Sequence, residues 1–87
     1  MAEQYSRVDN LGDKFYYKNP EMTILHREDG PAVERADGAE LWYQNGELHR
    51  LDGPAIISVF NGHREWYVDG VFIFMTDYKS NILYRIR

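Results

Sequence analysis

Three histidines could transfer protons near neutral pH: His26, His49 and His63. The first two are each followed, three residues later, by an aspartate (Asp29 and Asp52). One interpretation is a His–Asp pair that acts as a general base. The other is structural: each histidine, or the arginine beside it, holds the following Asp-Gly-Pro turn by hydrogen bonds. We favour the structural interpretation, because a scaffold contact recurs with its scaffold whereas an active site seldom does.

Other catalytic and metal-binding motifs are missing from the sequence. The chain has no cysteine, which excludes thiolate nucleophiles and zinc sites built on cysteine. It has no Gly-x-Ser-x-Gly elbow, no glycine-rich phosphate loop and no His-Glu-x-x-His motif. Three scattered histidines are too few converging ligands for a metal site. We therefore expect no catalytic residue, no metal and no cofactor.

The clearest feature of the chain is an internal repeat of 23 to 24 residues. His-Arg-Glu-Asp-Gly-Pro-Ala at 26–32 recurs as His-Arg-Leu-Asp-Gly-Pro-Ala at 49–55, and six of the seven positions are identical. Trp-Tyr-Gln-Asn-Gly at 42–46 recurs as Trp-Tyr-Val-Asp-Gly at 66–70. We assign a structural role in the repeat to His26, Asp29, Gly30, Pro31, His49, Asp52, Gly53 and Pro54.

The repeat also defines the organisation of the chain, whose 87 residues form one domain. Full repeats cover approximately 26–48 and 49–70, and a degenerate half-repeat lies near 15–25. Residues 71–87 depart from the pattern, and we expect them to cap the array, since terminal repeats are usually atypical. A short capping helix is one form of this cap, with a face spaced as Tyr78, Ile82, Leu83 and Ile86 after Thr76 or Asp77.

Asn-Gly and Asp-Gly pairs recur at intervals of seven to nine residues, beginning at Asp29, Asp37, Asn45, Asp52, Asn61 and Asp69. Such pairs accept the positive φ angles of tight hairpin turns. The segments between them have the usual length of a strand and are rich in β-branched and aromatic residues. The sequence therefore predicts a mainly β protein, an antiparallel β-hairpin repeat meander of about six to eight short strands in a curled single sheet.

The second repeat has one residue more than the first between Pro54 and Asn61. A one-residue slip in a strand would turn every later side chain to the other face of the sheet. We therefore expect a β-bulge or a looser turn near 58–61 to absorb the extra residue.

Composition bounds the partners and the compartment. The net charge is −4, which argues against direct binding to nucleic acid, since that requires a basic face. No segment approaches the roughly 18 apolar residues that span a bilayer, and the first residues lack the apolar core of a signal peptide. We expect a cytoplasmic protein without a membrane partner, and the lack of cysteine fits a reducing compartment.

Two pairs of adjacent aromatic residues are the first candidates for a binding surface: Trp42, Tyr43, Trp66 and Tyr67. Adjacent residues of a strand point to opposite faces, so each pair places one ring on either side of the sheet. Exposed rings of this kind dominate interface hot spots. The alternative, which we weigh equally, is that all four pack inside a tightly curled sheet or a closed dimer.

Acidic residues concentrate in the first repeat and form a second candidate surface. They could imitate nucleic acid phosphates or engage a basic protein. The alternative is an ordinary solvated face with arginines interspersed, which we favour because nucleic acid mimics carry far more negative charge. The acids in question are Glu34, Asp37, Glu40 and Glu47.

The two motifs together resemble the divergent antitoxin- and phage-type variant of the membrane-occupation-and-recognition-nexus (MORN) repeat, over roughly 15–74. The resemblance implies stacked β-hairpins in one elongated, curled sheet that serves as an interaction scaffold. It also implies a small phage- or bacterium-encoded protein, which would act in the host cytoplasm if phage-encoded. The glycines of the standard form, Tyr-x-Gly and Gly-x-x-His-Gly, are not kept, so phosphoinositide binding does not carry over.

We arrive at three hypotheses for function. The leading one is a non-enzymatic protein-binding module, a small phage-encoded factor that binds and inhibits a bacterial host or defence protein. The second is an acidic nucleic-acid mimic that inhibits a nucleic-acid-binding protein. The third is a structural repeat protein whose exposed edge strands pair to form a homo-oligomer. An enzyme with a His–Asp base comes last.

Overall fold

A computed structural model describes residues 5–74 and 84–85, and every regular element in that part of the chain is a β-strand. The strands are β1 (Tyr5–Val8), β2 (Lys14–Tyr17), β3 (Val33–Glu34), β4 (Glu40–Leu41), β5 (Tyr43–Gln44), β6 (Glu47–Leu48), β7 (Ile56–Ile57), β8 (Arg64–Val68), β9 (Val71–Phe74) and β10 (Tyr84–Arg85).

Eight strands form one sheet in the order β1-β2-β3-β4-β7-β8-β9-β10, and β5 and β6 form a two-stranded hairpin beside it. Every pairing of these strands is antiparallel. The sheet is open, with β1 at one end and β10 at the other. The predicted mainly β, antiparallel hairpin architecture is confirmed.

The hairpin β5–β6 leaves the main sheet at Trp42. The Trp42 N–H donates to the carbonyl of Ala55 at 2.7 Å, while the Trp42 carbonyl accepts the N–H of His49 at 2.9 Å. This residue therefore bonds to segments on both sides. The strand before it, β4, pairs with β3 and β7, and the strand after it pairs with β6. The extended segment 40–44 thus pairs with β3 and β7 before Trp42 and with β6 after it.

Two of the six predicted Asn-Gly and Asp-Gly turns, at the ends of the β5–β6 and β8–β9 hairpins, have left-handed geometry at both residues. In the pairs at 37–38 and 61–62 only the glycine has a positive φ angle, and in those at 29–30 and 52–53 neither residue has one. Asn45 and Gly46 have φ angles of 52° and 82°, and Asp69 and Gly70 have φ angles of 51° and 77°. Two consecutive positive φ angles define the turn whose twist matches that of antiparallel strands. In the half-repeat, the longer turn after β2 is closed by Asn19, whose carboxamide oxygen accepts two backbone N–H groups at 3.1 Å each.

The extra residue of the second repeat is absorbed in the turn between β7 and β8. In the first repeat, the Arg35 N–H donates to the Ala39 carbonyl at 2.9 Å. In the second, the equivalent bond joins the Ser58 N–H to the His63 carbonyl at 2.9 Å and encloses one residue more. The strand registers on either side correspond in the two repeats. A looser turn therefore solves the register problem.

The core is small, and it includes the alanines of the two Gly-Pro-Ala segments. One apolar row crosses four strands through the cross-strand pairs of Phe15, Val33, Leu41 and Ile56. Ala32 and Ala55, which occupy equivalent repeat positions, have no exposed surface. The buried apolar residues of the described part are Tyr17, Ala32, Val33, Ala55 and Ile73.

The segment predicted to cap the array begins as a strand. Strand β9 continues the repeat pattern by pairing with β8, and β10 pairs with its other side. Val71–Phe74 is thus the second strand of the β8–β9 hairpin. The residues that we assigned to a capping helix lie outside the described part of the chain.

The buried alanines allow a direct test of the core. Ala55→Leu introduces three carbons at a position with no exposed surface, and we expect it to lower the free energy of unfolding by about 1–3 kcal/mol through overpacking. Ala36→Leu adds the same atoms at an exposed turn position and serves as the control. Urea unfolding followed by tryptophan fluorescence measures both. Equal stability of the two variants would show that the space around Ala55 is not closed.

Candidate functional site

The Arg50 side chain joins the Asp-Gly-Pro turn of its own repeat to Trp42 of the preceding repeat. The Cζ atom lies 3.6 Å from the centroid of the Trp42 ring, a cation–π contact. The Nη1 group donates to the Pro54 carbonyl at 3.1 Å, and Nε donates to the Asp52 carboxylate at 3.1 Å. The arginine therefore holds the Asp-Gly-Pro turn against the Trp42 ring, between β4 and β5.

Arg27 makes the equivalent contacts in the first repeat. Its Cζ lies 4.0 Å from the centroid of the Tyr16 ring, and Nη1 donates to the Pro31 carbonyl at 3.2 Å. The same guanidinium lies 3.6 Å from the Asp29 carboxylate and 3.2 Å from that of Glu34. Because the arrangement recurs with the motif, it belongs to the scaffold.

The glycine of each motif leaves the space that the guanidinium fills. A Cβ atom placed on Gly30 would lie 3.0 Å from Cζ of Arg27, and one on Gly53 would lie 2.8 Å from Cζ of Arg50. A side chain at either glycine would therefore displace the guanidinium from its present position, and more at Gly53 than at Gly30.

The histidines connect each hairpin to the next one. The Asn45 N–H donates to Nδ1 of His26 at 2.9 Å, and the Asp69 N–H donates to Nδ1 of His49 at 2.9 Å. On its other nitrogen, His26 is 2.6 Å from a carboxylate oxygen of Glu28. Each imidazole therefore satisfies the backbone donor of a left-handed turn residue 19 or 20 positions later.

These contacts divide the roles that sequence analysis combined. The arginine, as described above, contacts the aspartate and the proline of its own turn, whereas the histidine reaches the following hairpin. An imidazole nitrogen that accepts a backbone N–H has no lone pair left for a substrate proton. Because Nδ1 of His26 and of His49 each accepts a backbone N–H, the geometry favours a structural role for both rings.

The third histidine belongs to a hydrogen-bonded chain on β8. His63 Nε2 lies 2.7 Å from a carboxylate oxygen of Glu65, and the Tyr67 hydroxyl donates to the other oxygen at 3.1 Å. The hydrogen bond to His63 lowers the pKa of Glu65 from its usual 4.5, against a smaller opposing effect of burial. Burial, followed by the bond to Glu65, raises the pKa of Tyr67 above its usual 10.0.

The four candidate aromatic residues have mostly internal contacts. Arg50 covers the Trp42 ring, and the indole N–H donates to the Glu40 carboxylate at 3.2 Å. The Tyr67 ring meets Phe72 edge to face, with centroids 5.5 Å apart. The structure leaves all four half-buried: Trp42, Tyr43, Trp66 and Tyr67.

The four candidate acids are not brought together on one surface. Glu34 and Glu40 are cross-strand neighbours on β3 and β4, and Glu34 is paired with Arg27. Asp37 lies in the β3–β4 turn, where its carboxylate accepts a backbone N–H at 2.9 Å. Glu47 lies in the separate β5–β6 hairpin. The arrangement is a dispersed, partly paired set rather than a continuous acidic strip.

A groove of about 390 Å³ lies between the two His-Arg loops. Its lining combines polar and apolar side chains, and two of its carboxylates are already paired, Asp52 with Arg50 and Asp29 with Arg27. The lining residues are Glu28, Asp29, Trp42, Gln44, His49, Arg50, Leu51 and Asp52.

A different surface is formed by three turns that stack along one side of the sheet, which we call the turn edge: residues 9–13, 35–39 and 58–63. The buried carboxylate of Asp13 accepts the Ala36 N–H at 2.7 Å and so joins the first turn to the second. The second and third turns are in contact as well, because a Cβ on Gly38 would lie 3.0 Å from a methyl group of Val59.

The turn edge carries three exposed apolar side chains, including the two most exposed of the described residues. Phe60 is 100% exposed, Leu11 77% and Val59 57%. Sequence analysis missed all three, although one signal was present: the residue by which the second repeat exceeds the first falls in the turn that contains an aromatic ring.

Comparison with family models, curated proteins and solved structures found no match. The resemblance to MORN-type repeats therefore stays a prediction. Within residues 5–74 and 84–85 there is no helix long and apolar enough to cross a membrane. In the same part of the chain no three His, Cys, Asp or Glu side chains converge as metal ligands do.

The arginine contacts predict a specific loss of stability. Arg50→Lys keeps the charge but removes the planar group that stacks on Trp42 and donates in two directions. We expect the free energy of unfolding to fall by about 1–3 kcal/mol. Arg35→Lys, on the exposed turn edge, is the matched control and should leave stability unchanged. Denaturant unfolding tests both, and an unchanged Arg50→Lys midpoint would contradict the role assigned to Arg50.

The lowered pKa of Glu65 predicts a stability change in acid. The unfolded chain binds this proton near the usual value of 4.5, while the folded form releases it down to a lower pH. Stability from this group is therefore present above pH 4.5 and is lost as the pH falls through the lowered folded pKa. Glu65→Gln should show a smaller loss of stability below pH 4.5, measured by denaturant unfolding. Glu47→Gln, at an exposed acid, should keep the wild-type profile.

Proposed function

We propose that this chain is a non-enzymatic protein-binding module whose turn edge contacts the partner and whose anchor is Phe60. The observation that carries the proposal is the complete exposure of the Phe60 ring, 100%, at the end of the lengthened turn. Burying a phenylalanine side chain contributes about 1.5–3 kcal/mol. Because Phe60 is fully exposed, its side chain contributes no burial free energy to folding, and that free energy is available for binding a partner.

The comparison between the two repeats supports a dedicated role for this turn. In repeat arrays, insertions within single repeats lie in loops on one face, often the binding face. The equivalent turn of the first repeat is shorter and carries the polar residues Arg35 and Asp37, whereas the longer turn carries Val59 and Phe60. The longer turn therefore presents apolar side chains that the shorter turn does not have.

The turn edge also holds its apolar residues on a fixed support. Val59 packs against Gly38 of the neighbouring turn, and the Asp13 carboxylate fixes the turn beyond it. Surfaces that are ordered before binding lose less conformational entropy when they bind. Polar residues such as Asp9 and Arg35 surround the apolar ones, as the rim of a protein interface does.

A partner that fits this surface is a protein with an apolar pocket for one aromatic ring. A bacterial host or defence protein is the partner class implied by the resemblance to phage-type MORN repeats. We place the interaction in the cytoplasm, where a chain without cysteine has no disulfide to lose.

Phe60→Ser and Leu51→Ser form a matched pair for testing this proposal. Both replace an exposed apolar residue, 100% and 70% exposed, but Leu51 lies in the groove on the His-Arg loops and not on the turn edge. Tagged protein is incubated with bacterial lysate at moderate salt, and the recovered proteins are quantified by mass spectrometry. Phe60→Ser should reduce recovery of the dominant partner about tenfold or more, while Leu51→Ser retains it.

The possible results separate the competing functions. Both variants should keep the wild-type melting temperature, because neither residue is buried. Equal recovery with both would contradict the assignment of Phe60 as the anchor. Recovery that disappears for the wild type at moderate salt would favour the acidic mimic instead. A wild-type mass several times 10.3 kDa by light scattering, with no partner recovered, would favour the homo-oligomer.

A further inference from the structure

Two Asn-Gly pairs of this chain, Asn45-Gly46 and Asn61-Gly62, are capable of a reaction without an enzyme. The glycine amide nitrogen attacks Cγ of the asparagine, a C–N bond closes a five-membered succinimide, and the carboxamide nitrogen leaves as ammonia. Water then opens the ring, giving aspartate or isoaspartate. Glycine favours the reaction because it has no side chain to obstruct the ring closure, and asparagine is known as a thermolabile residue.

The structure restrains the nucleophile of the first pair. The Gly46 N–H donates to the Leu25 carbonyl at 2.8 Å, so its proton is held in a backbone hydrogen bond. The Asn45 N–H is bonded to His26, and the Asn45 carboxamide oxygen accepts the Lys18 ammonium at 2.6 Å. Attack would require the Gly46 bond to break, because the amide nitrogen must lose its proton and turn toward Cγ.

The second pair has no such restraint. Within the described part of the chain, the Gly62 N–H has no hydrogen-bond acceptor, and no atom lies within 4 Å of a Cβ built on Gly62. The His63 N–H donates to the Asn61 carboxamide oxygen at 3.0 Å. This bond polarises the carbonyl, as the Lys18 ammonium does at Asn45, so the two sites differ in the glycine N–H and not in the carbon that it attacks. The nucleophile is accessible and the carbon that it attacks is polarised.

From this contrast we infer that Asn61 is a site of spontaneous covalent modification in the folded protein, converting to aspartate and isoaspartate, whereas Asn45 is protected by the sheet. The folded protein accepts the aspartate product, because the first repeat already has Asp37-Gly38 in the equivalent turn. Isoaspartate adds one atom to the backbone of a turn that already exceeds its counterpart by one residue.

The modification changes the charge of the turn edge. It places a carboxylate next to Phe60, where the unmodified chain has a neutral carboxamide. An effect on partner binding rests on the proposed function, whereas the modification itself does not. Mass spectrometry of the isolated protein therefore tests the inference whether or not Phe60 binds a partner.

The test is to hold the purified full chain at 37 °C and weakly alkaline pH and to digest samples with trypsin over several days. Cleavage after arginine places Asn45 in the peptide 36–50 and Asn61 in the peptide 51–64. Conversion raises the peptide mass by about one dalton, and isoaspartate methyltransferase labels one of the products. We expect Asn61 to convert about tenfold faster than Asn45, the factor that one backbone hydrogen bond supplies.

The control is the same incubation in urea, where the hydrogen bond of Gly46 is broken and both sites should convert at similar rates. Asn61→Gln, which cannot form the five-membered ring, should abolish the mass change of peptide 51–64 and leave peptide 36–50 as in the wild type. Equal rates at the two sites in the folded protein would overturn the inference. So would conversion of Asn61 in urea without any in the folded chain.

Discussion

One arginine at the start of each full repeat ties its own Asp-Gly-Pro turn to an aromatic ring of the preceding repeat or half-repeat. Its guanidinium stacks on that ring, donates to a proline carbonyl and occupies the space that a glycine leaves free. Because the fully enclosed apolar residues of the described part are few and small, the hydrophobic core cannot by itself fix the Gly-Pro-Ala segments. The Arg-x-Asp-Gly-Pro part of the motif supplies the guanidinium, the carboxylate, the glycine and the proline carbonyl of this contact.

The left-handed turns of the hairpins are held by contacts of another kind. The backbone N–H of the turn residue donates to the histidine ring at the start of its own repeat, and the N–H of the following glycine donates to a leucine carbonyl of the preceding repeat or half-repeat. Each hairpin therefore relies on its predecessor to satisfy its turn. Such nearest-neighbour dependence is typical of repeat proteins, in which a single unit cannot bury its own surface. The β5–β6 and β8–β9 turns are therefore completed by groups outside their own hairpins.

Much of the fold could be predicted from the sequence, because Asn-Gly and Asp-Gly report local backbone geometry directly. The repeat also indicated that His26 and His49 share one role. It could not show that this role reaches 19 or 20 residues ahead, since the partner is a backbone amide and leaves no trace in residue type. The candidate site was harder still. Trp42 and Tyr67 looked available by alternation, but an arginine and a phenylalanine cover part of their rings. Phe60 falls in a segment that the turn spacing predicts as a strand, whereas β7 ends at Ile57 and Phe60 lies in the turn.

The two versions of the β3–β4 and β7–β8 turns differ in length while the strands beside them keep corresponding registers. The length of this turn can therefore change without a change in the sheet, because the free energy of closing a loop rises only slowly with each added residue. The turn edge is in this sense a natural site for peptide grafting: foreign sequences could be displayed between Ser58 and His63 on a framework that does not have to be redesigned. The same freedom would let the specificity of this surface diverge between relatives faster than their sheet.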